Sequence, residues 1–134
     1  MITEEALKQY YQFERDFEAT CKHICELLVR LNKKYGVDFD KFEVPEKDGW
    51  QGINCIYYDY CMGECEAYHE FFPVELLFMT DDEINEWIDE RLAEERKKAE
   101  EEQRKKELKK QQDAEKKRKR DLAEYERIKA KYNL

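Results

Sequence analysis

Apolar residues in the first third of the chain recur at steps of three and four. Between Thr3 and Gly36 they are Leu7, Tyr10, Phe13, Phe17, Cys21, Ile24, Leu28, Leu31 and Tyr35. This spacing is typical of one face of an amphipathic helix. Because Thr3 is a good N-cap and Gly36 a good helix stop, we predict a helix over residues 4–35. We expect its apolar face to pack on a later helix that carries Ile84, Trp87, Ile88 and Leu92.

The middle of the chain, residues 37–72, has the residue types and turn dipeptides of a β-meander. We predict strands over about residues 38–47, 50–60 and 65–72. Asp48-Gly49 is the preferred dipeptide of a two-residue hairpin loop, which places Phe42 opposite Cys55. A second turn is predicted at Met62-Gly63-Glu64.

The second turn pairs Cys61 with Cys65 and places Tyr57 opposite His69. Paired residues share a face of the sheet, so the two registers divide the strand residues into two faces. One face is expected to pack on the helices: Phe42, Val44, Ile53, Cys55, Tyr57, Ala67, His69 and Phe71. The other mixes tyrosines with carboxylates, and there we predict a partner-binding surface: Glu43, Tyr58, Tyr60, Glu66, Tyr68 and Glu70.

The last third of the chain predicts one long helix. Thr80-Asp-Asp-Glu83 is a capping box, and no Gly or Pro follows it, so the helix starts over residues 81–93. After Leu92, Glu and Lys/Arg recur four residues apart, which indicates a solvated helix rather than a coiled coil. An apolar stripe returns near the end and is a second predicted partner-binding surface: Leu122, Tyr125, Ile128 and Tyr132.

These elements predict an α+β fold with an N-terminal helix, a three-stranded antiparallel meander and a long charged C-terminal helix. We expect a compact body over residues 1–93 and a helical arm over residues 94–134. The body has 22 Asp/Glu and nine Lys/Arg, a net charge of −13, whereas the arm has 11 and 16, a net charge of +5. Such a body repels nucleic acid and attracts basic proteins, although solubility alone is an alternative explanation.

The five cysteines raise the question of a metal site. Cys21 and Cys25 lie one helical turn apart, and Cys61 and Cys65 flank a turn, so four thiolates could hold tetrahedral zinc. Zinc knuckles usually have two intervening residues, whereas both pairs here have three, and Cys21 fits the core pattern. We therefore expect free thiols, no metal and no cofactor. A Cys61–Cys65 disulfide would require an oxidising compartment.

Catalytic chemistry is not favoured by the remaining motifs. His69 falls on the predicted core face, where a hydrogen-bonded structural histidine is expected, and His23 is expected at the surface. The four glycines are not clustered, so there is no phosphate-binding loop. We predict that the chain is not an enzyme.

The basic run at residues 116–120, KKRKR, could contact phosphates. It has no flanking aromatic residues for stacking, and the acidic body opposes it, so direct binding of nucleic acid is not favoured. No apolar stretch approaches the ~20 residues of a membrane span, and Glu4, Glu5 and Lys8 interrupt any export signal. We expect no membrane contact and a cytoplasmic location.

The segment Phe71-Phe72-Pro73-Val-Glu75-Leu-Leu77, followed by Asp81-Asp82-Glu83-Ile84 and Trp87, resembles a junction of small acidic proteins encoded by bacteriophages and prophages. The resemblance covers about 20 residues. Some proteins of this kind, including anti-CRISPR proteins, block a nucleic-acid-binding surface of a bacterial defence complex. For this chain the resemblance implies a similar role in the host cytoplasm, and it carries over no site residues.

Two functions follow as hypotheses. The first is a binding protein that inhibits a larger basic protein or ribonucleoprotein complex through the acidic sheet face. The second is a structural or assembly protein that uses the long helix as a spacer or as an oligomerisation arm between copies.

Overall fold

The computed structural model describes residues 1–46 and 52–132, so the predicted turn at Asp48-Gly49 lies outside the described residues. Its elements are helix α1 (Glu4–Leu28), strands β1 (Lys41–Glu43), β2 (Ile53–Cys61) and β3 (Glu64–Phe72), and helix α2 (Asp81–Tyr132). Two 3₁₀ helices, Lys33–Gly36 and Val74–Phe78, lie between them. The predicted α+β fold class is confirmed. The chain divides into two compact units, Met1–Arg91 and Leu92–Leu134.

Helix α1 begins where it was predicted and ends earlier. The Thr3 hydroxyl accepts the Ala6 N–H at 3.1 Å, which caps the first turn. The helix ends at Leu28 because Asn32 is extended and its side chain accepts the Lys34 N–H at 3.0 Å. The prediction that the helix continues to residue 35 and stops at Gly36 is therefore wrong.

The core of Met1–Arg91 lies around the second half of α1. Its buried apolar residues come from α1, the segment before β1, the first half of β2, the end of β3, the 3₁₀ helix that follows β3, and the first turns of α2: Cys21, Ile24, Cys25, Leu28, Phe39, Ile53, Cys55, Ile56, Phe72, Leu76, Ile84 and Ile88. The Cys25 and Cys55 sulfurs lie 3.8 Å apart, so α1 packs directly on β2. Burial of these side chains is the main stabilising term of the body.

Polar contacts connect the second half of α1 to the start of α2. A capping box closes the first turn of α2, with Thr80 and Glu83 exchanging hydrogen bonds as predicted. His23 Nε2 lies 2.9 Å from a carboxylate oxygen of Asp81, and Arg30 donates to Asp89 at 2.6 Å. These long-range pairs hold the first turns of α2, within the unit Met1–Arg91, against α1.

The first half of α1 is exposed, although its apolar face was expected to pack on a later helix along its whole length. Leu7, Tyr10 and Phe13 have exposed fractions of 43, 55 and 59%. Their spacing continues that of the buried residues, so one apolar stripe is buried at its C-terminal end and exposed at its N-terminal end. The periodicity therefore predicted the helix correctly but not which part of it is covered.

The sheet has the antiparallel order β1-β2-β3, with β1 and β3 at its edges. The first predicted register is confirmed, because Phe42 pairs with Cys55. Strand β1 covers only three residues, Lys41–Glu43, and β2 starts at Ile53, three residues later than predicted. On either side of the second turn, β2 and β3 each extend one residue closer to the turn than predicted.

The second predicted register is wrong by one residue. Cys61 pairs with Glu64 rather than with Cys65, because the loop contains only Met62 and Gly63. Both loop residues have positive φ, 52° and 80°, which is the conformation of a two-residue type I′ turn. A shift of one residue moves every side chain of β3 to the opposite face of the sheet.

Candidate binding surface

The observed register places all four carboxylates of the β2–β3 hairpin on one face of the sheet. Side chains alternate along a strand and paired residues share a face, so Asp59 of β2 lies with Glu64, Glu66 and Glu70 of β3. Neither strand contains a Lys or Arg. The same face carries Tyr57 opposite Tyr68, with ring centroids 6.4 Å apart. We call these residues the acidic hairpin face: Tyr57, Asp59, Glu64, Glu66, Tyr68 and Glu70.

The predicted sheet site is split by this register. Glu66, Tyr68 and Glu70 belong to the acidic hairpin face. The other three predicted residues lie on the opposite face of the sheet: Glu43, Tyr58 and Tyr60. Glu43 is also paired locally, since its carboxylate lies 3.0 Å from the Lys41 ammonium. The prediction of one surface formed by all six residues is therefore wrong.

The centre of the acidic hairpin face is a pair of directly opposed carboxylates. Asp59 and Glu66 are cross-strand partners, and both are exposed. Like charges at such positions repel each other. The Tyr68 hydroxyl donates to Glu66 at 2.7 Å, and this hydrogen bond raises the pKa of Tyr68, with further contributions from the charges of Glu66 and Asp59. The phenol therefore stays protonated and remains a donor to the carboxylate.

An open depression of about 420 Å³ adjoins the acidic hairpin face. Its lining includes Phe39, Tyr57, Tyr68 and Glu70, with Lys34 at one side. Aromatic rings beside a carboxylate suit an arginine or lysine side chain, because the cation can contact both the ring faces and the anionic oxygen. The depression could therefore accept a basic side chain of a partner.

At its inner end the acidic hairpin face meets the core. Glu70 is paired with the buried Cys55 and is itself half-buried. Tyr35 donates to the carbonyl of Phe71 at 2.6 Å, and burial, followed by the charge of Glu70, raises the pKa of Tyr35 to about 12. The inner end is thus anchored by a protonated tyrosine, while Asp59, Glu64 and Glu66 are exposed.

The second predicted surface lies in the unit Leu92–Leu134. Its four predicted residues are all exposed on α2: Leu122, Tyr125, Ile128 and Tyr132. Their spacing of three, three and four residues places them along one side of the helix. The structure therefore shows an exposed apolar stripe at the predicted positions.

The cysteines do not come together as a set of four. Cys21 and Cys25 are buried beside Cys55, whereas Cys61 and Cys65 are exposed. Within residues 1–46 and 52–132, no group of three or more His, Cys, Asp or Glu side chains has the arrangement of a metal site. Cys61 and Cys65 also lie on opposite faces of the hairpin, because Cys61 pairs with Glu64 and Cys65 with Tyr60. That arrangement does not suit the disulfide considered from the sequence.

His69 differs from its prediction. It lies opposite Ile56 rather than Tyr57, on the face away from the acidic residues, and is exposed. Its Nδ1 lies 3.0 Å from the Asn54 side-chain oxygen, so this histidine is held by a neighbouring strand. His23 is at the surface as predicted, but the sequence did not indicate its contact with Asp81.

Three residues of the acidic hairpin face were not among the predicted site residues: Tyr57, Asp59 and Glu64. A signal for them was present in the sequence, since Met62-Gly63 can form a two-residue loop whose only non-glycine residue must adopt positive φ. The predicted three-residue turn at Met62-Gly63-Glu64 instead paired Cys61 with Cys65, which placed the other residues of β3 on the face that includes Tyr57.

The helices within the described parts of the chain do not combine the length and apolar character needed to span a membrane. Comparison with protein-family models, with curated proteins and with solved structures found no match. The function must therefore be inferred from the chemistry of the surfaces themselves.

Proposed function

We propose that this chain is a non-catalytic binding protein whose acidic hairpin face covers a basic, nucleic-acid-binding surface of a larger partner. The observation that carries the proposal is the placement of four carboxylates and two tyrosines on one face of a hairpin that has no Lys or Arg. Carboxylates arranged on a rigid strand pair present regularly spaced negative charge, as a nucleic acid backbone does.

The chemistry of the face supports a basic partner. Asp59 and Glu66 repel each other in the free chain, and an arginine or lysine placed between them would remove that repulsion. The depression beside Tyr57 and Tyr68 could hold a second basic side chain. The net charge of −13 on residues 1–93 would accelerate encounter with such a surface.

The partner class that we propose is a bacterial defence complex, such as a CRISPR effector. This part of the proposal depends on the resemblance of the segment around Phe71-Phe72-Pro73 to small phage proteins. A protein that masks a DNA-binding groove needs charge and shape complementarity but no catalytic group. The exposed carboxylates of the hairpin supply the negative charge that such a groove would attract.

A competition assay tests the proposal. Purified CRISPR effector complexes are bound to a fluorescently labelled DNA duplex, and the full chain is added while anisotropy is recorded. We expect the wild-type chain to displace DNA from at least one effector, and to do so less effectively at higher salt concentration. Failure to displace DNA from any effector would contradict the proposed partner class.

A matched pair of variants tests the surface. Glu66→Lys and Glu43→Lys change the charge equally, but they lie on opposite faces of the same sheet. We expect Glu66→Lys to lose competition and Glu43→Lys to retain it. Equal losses in both variants would show that overall charge, rather than the acidic hairpin face, is responsible. Circular dichroism checks that both variants remain folded.

As a second candidate, we propose an assembly function for α2. The observation that favours it is the exposed apolar stripe formed by Leu122, Tyr125, Ile128 and Tyr132. Apolar residues repeated along one side of a solvated helix are suited to helix–helix contact. Sedimentation velocity of the full chain and of a chain truncated after Leu108 tests this function. Self-association that requires the last residues would support it, and a monomer at all concentrations would contradict it.

A further inference from the structure

We propose that the exposed first half of α1 is the docking surface for the C-terminal end of α2 from a second copy of this chain. The inference rests on the assembly function proposed above and names the surface that receives the α2 stripe. The contact between two copies would then be head-to-tail, because it joins two different surfaces, and not symmetric.

The receiving surface is an apolar stripe that is exposed on a well-formed helix. Leu7, Tyr10 and Phe13 are exposed, and Phe17 is half-buried where the stripe meets the core. Phe13 and Phe17 stack with their ring centroids 5.9 Å apart, so the aromatic side chains already form a continuous ridge. The stripe extends over eleven residues, from Leu7 to Phe17, or ~15 Å along the helix axis.

The stripe of α1 and the stripe of α2 have the same sequence spacing. Both fit the first and fourth positions of a heptad, which form the seam of paired helices. In α1 these positions are Leu7, Tyr10, Glu14 and Phe17, and in α2 they are Leu122, Tyr125, Lys129 and Tyr132. Phe13 and Ile128 are likewise equivalent. The two stripes therefore match in length, in spacing and in the order of leucine and aromatic residues.

The one position at which the stripes differ in charge determines the partner. Glu14 lies within the α1 stripe beside Tyr10, whose pKa it raises through a hydrogen bond, and Lys129 occupies the equivalent place in α2. Pairing two α1 stripes would place Glu14 beside Glu14, and pairing two α2 ends would place Lys129 beside Lys129. A mixed pair instead places Glu14 beside Lys129, which favours the mixed pair.

The flanking charges repeat this complementarity. When the two stripes are aligned residue by residue, with Leu7 matched to Leu122, four acidic residues of α1 correspond to four basic residues of α2. Glu4, Glu5, Glu14 and Asp16 align with Lys119, Arg120, Lys129 and Lys131, respectively. Opposite charges beside an apolar seam specify which helices pair and in which direction. Parallel pairing in this alignment brings Glu14 and Lys129 together in the seam, whereas the other three acid–base pairs lie outside the seam and add only a general attraction between an acidic and a basic helix.

When two copies join through two different surfaces, the pair still has one free α1 stripe and one free α2 stripe. Further copies can then add, so the assembly grows as a chain unless it closes into a ring. Because each contact contains only about two heptads of seam, we expect association to be weak and concentration-dependent.

A charge-swap experiment on the full chain tests the inference by sedimentation velocity over a range of concentrations. Glu14→Lys or Lys129→Glu alone should lower the association constant about tenfold, because each replaces an attraction by a repulsion of similar size. Mixing the two single variants should restore assembly, since each then presents a stripe that complements the other. The double variant Glu14→Lys/Lys129→Glu should also assemble by itself.

The outcomes separate this inference from the functions on which it rests. A wild-type chain that stays monomeric overturns both the assembly function and the docking surface. A wild-type chain that assembles, with single variants that are not rescued by mixing, overturns the docking surface only. A compact wild-type monomer that expands on Glu14→Lys substitution would show contact within one chain and would also overturn it. Both residues are exposed, so circular dichroism should show unchanged folding in the variants.

Discussion

Asp59 and Glu66 face each other across β2 and β3, so two exposed carboxylates are cross-strand partners. Opposed like charges destabilise a sheet, and tyrosine or threonine would be better suited to stability at either position. The hairpin thus carries a local electrostatic cost, and the hydrogen bond that the neutral Tyr68 hydroxyl donates to Glu66 removes neither charge. A cost of this kind is consistent with a face that is completed by a basic partner.

Neutralising Asp59 should therefore stabilise the free chain. We expect Asp59→Asn to raise the free energy of unfolding by ~0.2–1 kcal/mol, because it removes the repulsion with Glu66. Urea denaturation followed by circular dichroism measures the change. Asp38→Asn is a suitable control, since it removes the same charge from an exposed loop position. Equal effects in the two variants would indicate a general charge effect instead.

The Tyr68–Glu66 hydrogen bond predicts a pH dependence. Ionisation of Tyr68 would place a phenolate beside Glu66, so the pKa of Tyr68 is raised and its proton is lost only at higher pH than for an ordinary tyrosine. Glu66→Gln should move that pKa down. NMR of ¹³C-labelled tyrosine rings measures it, and Tyr60, whose raised pKa is caused chiefly by Cys65, should not change. A constant Tyr68 pKa would contradict the proposed bond.

The turn that sets the register can be tested at Met62. A non-glycine residue at φ of 52° is strained, and asparagine tolerates this conformation better than methionine. We expect Met62→Asn to stabilise the chain by ~0.5–1 kcal/mol, measured as a rise in the urea midpoint. Met62→Val should have the opposite effect, because a β-branched side chain opposes positive φ. A three-residue loop would not produce this order of stabilities.

The helices and the order of strands could be predicted from periodicity and capping residues. Thr3 and Thr80 both cap the helices that they were predicted to cap, and Phe42 pairs with Cys55. These features depend on residues that are close in sequence, or on one well-defined loop. Local chemistry was therefore sufficient for the fold class.

The composition of the candidate surface could not be predicted because it depends on a single residue of register. The observed loop after Cys61 has two residues, one fewer than predicted. On the face that includes Tyr57, this change replaces three predicted residues of β3, Ala67, His69 and Phe71, with Glu66, Tyr68 and Glu70. The sequence pattern also could not predict how much of α1 is buried, because the same periodicity continues from exposed Leu7 to buried Leu28. Periodicity identifies a face but not the extent of its partner.

Packing between α1 and α2 should depend on the first turns of α2 only. Ile88 is fully buried, so Ile88→Ala should lower the free energy of unfolding by ~2–4 kcal/mol through lost contacts and a cavity. Leu108 is 56% exposed on the same helix, and Leu108→Ala should change stability by less than ~0.5 kcal/mol. Urea denaturation compares the two. Similar losses would mean that residues beyond Leu92 contribute to the folded core.

The five thiols should divide into two reactive and three protected groups. Cys61 and Cys65 are exposed, whereas Cys21, Cys25 and Cys55 are buried. Burial, and then the neighbouring Cys25, raise the pKa of Cys21 to about 12, well above pH 8, so this thiol stays protonated and is a poor nucleophile. A hydrogen bond with Cys25, together with burial, also raises the pKa of Cys55.

An aromatic disulfide reagent at pH 8 counts the reactive groups directly. We expect two rapid equivalents in the native chain and five after addition of urea. Cys61→Ser should remove one rapid equivalent, and Cys61→Ser/Cys65→Ser should remove both while leaving the three slow groups unchanged. Rapid reaction of more than two thiols would show that the contact between α1 and β2 opens readily, because Cys25 and Cys55 become accessible only when these elements separate.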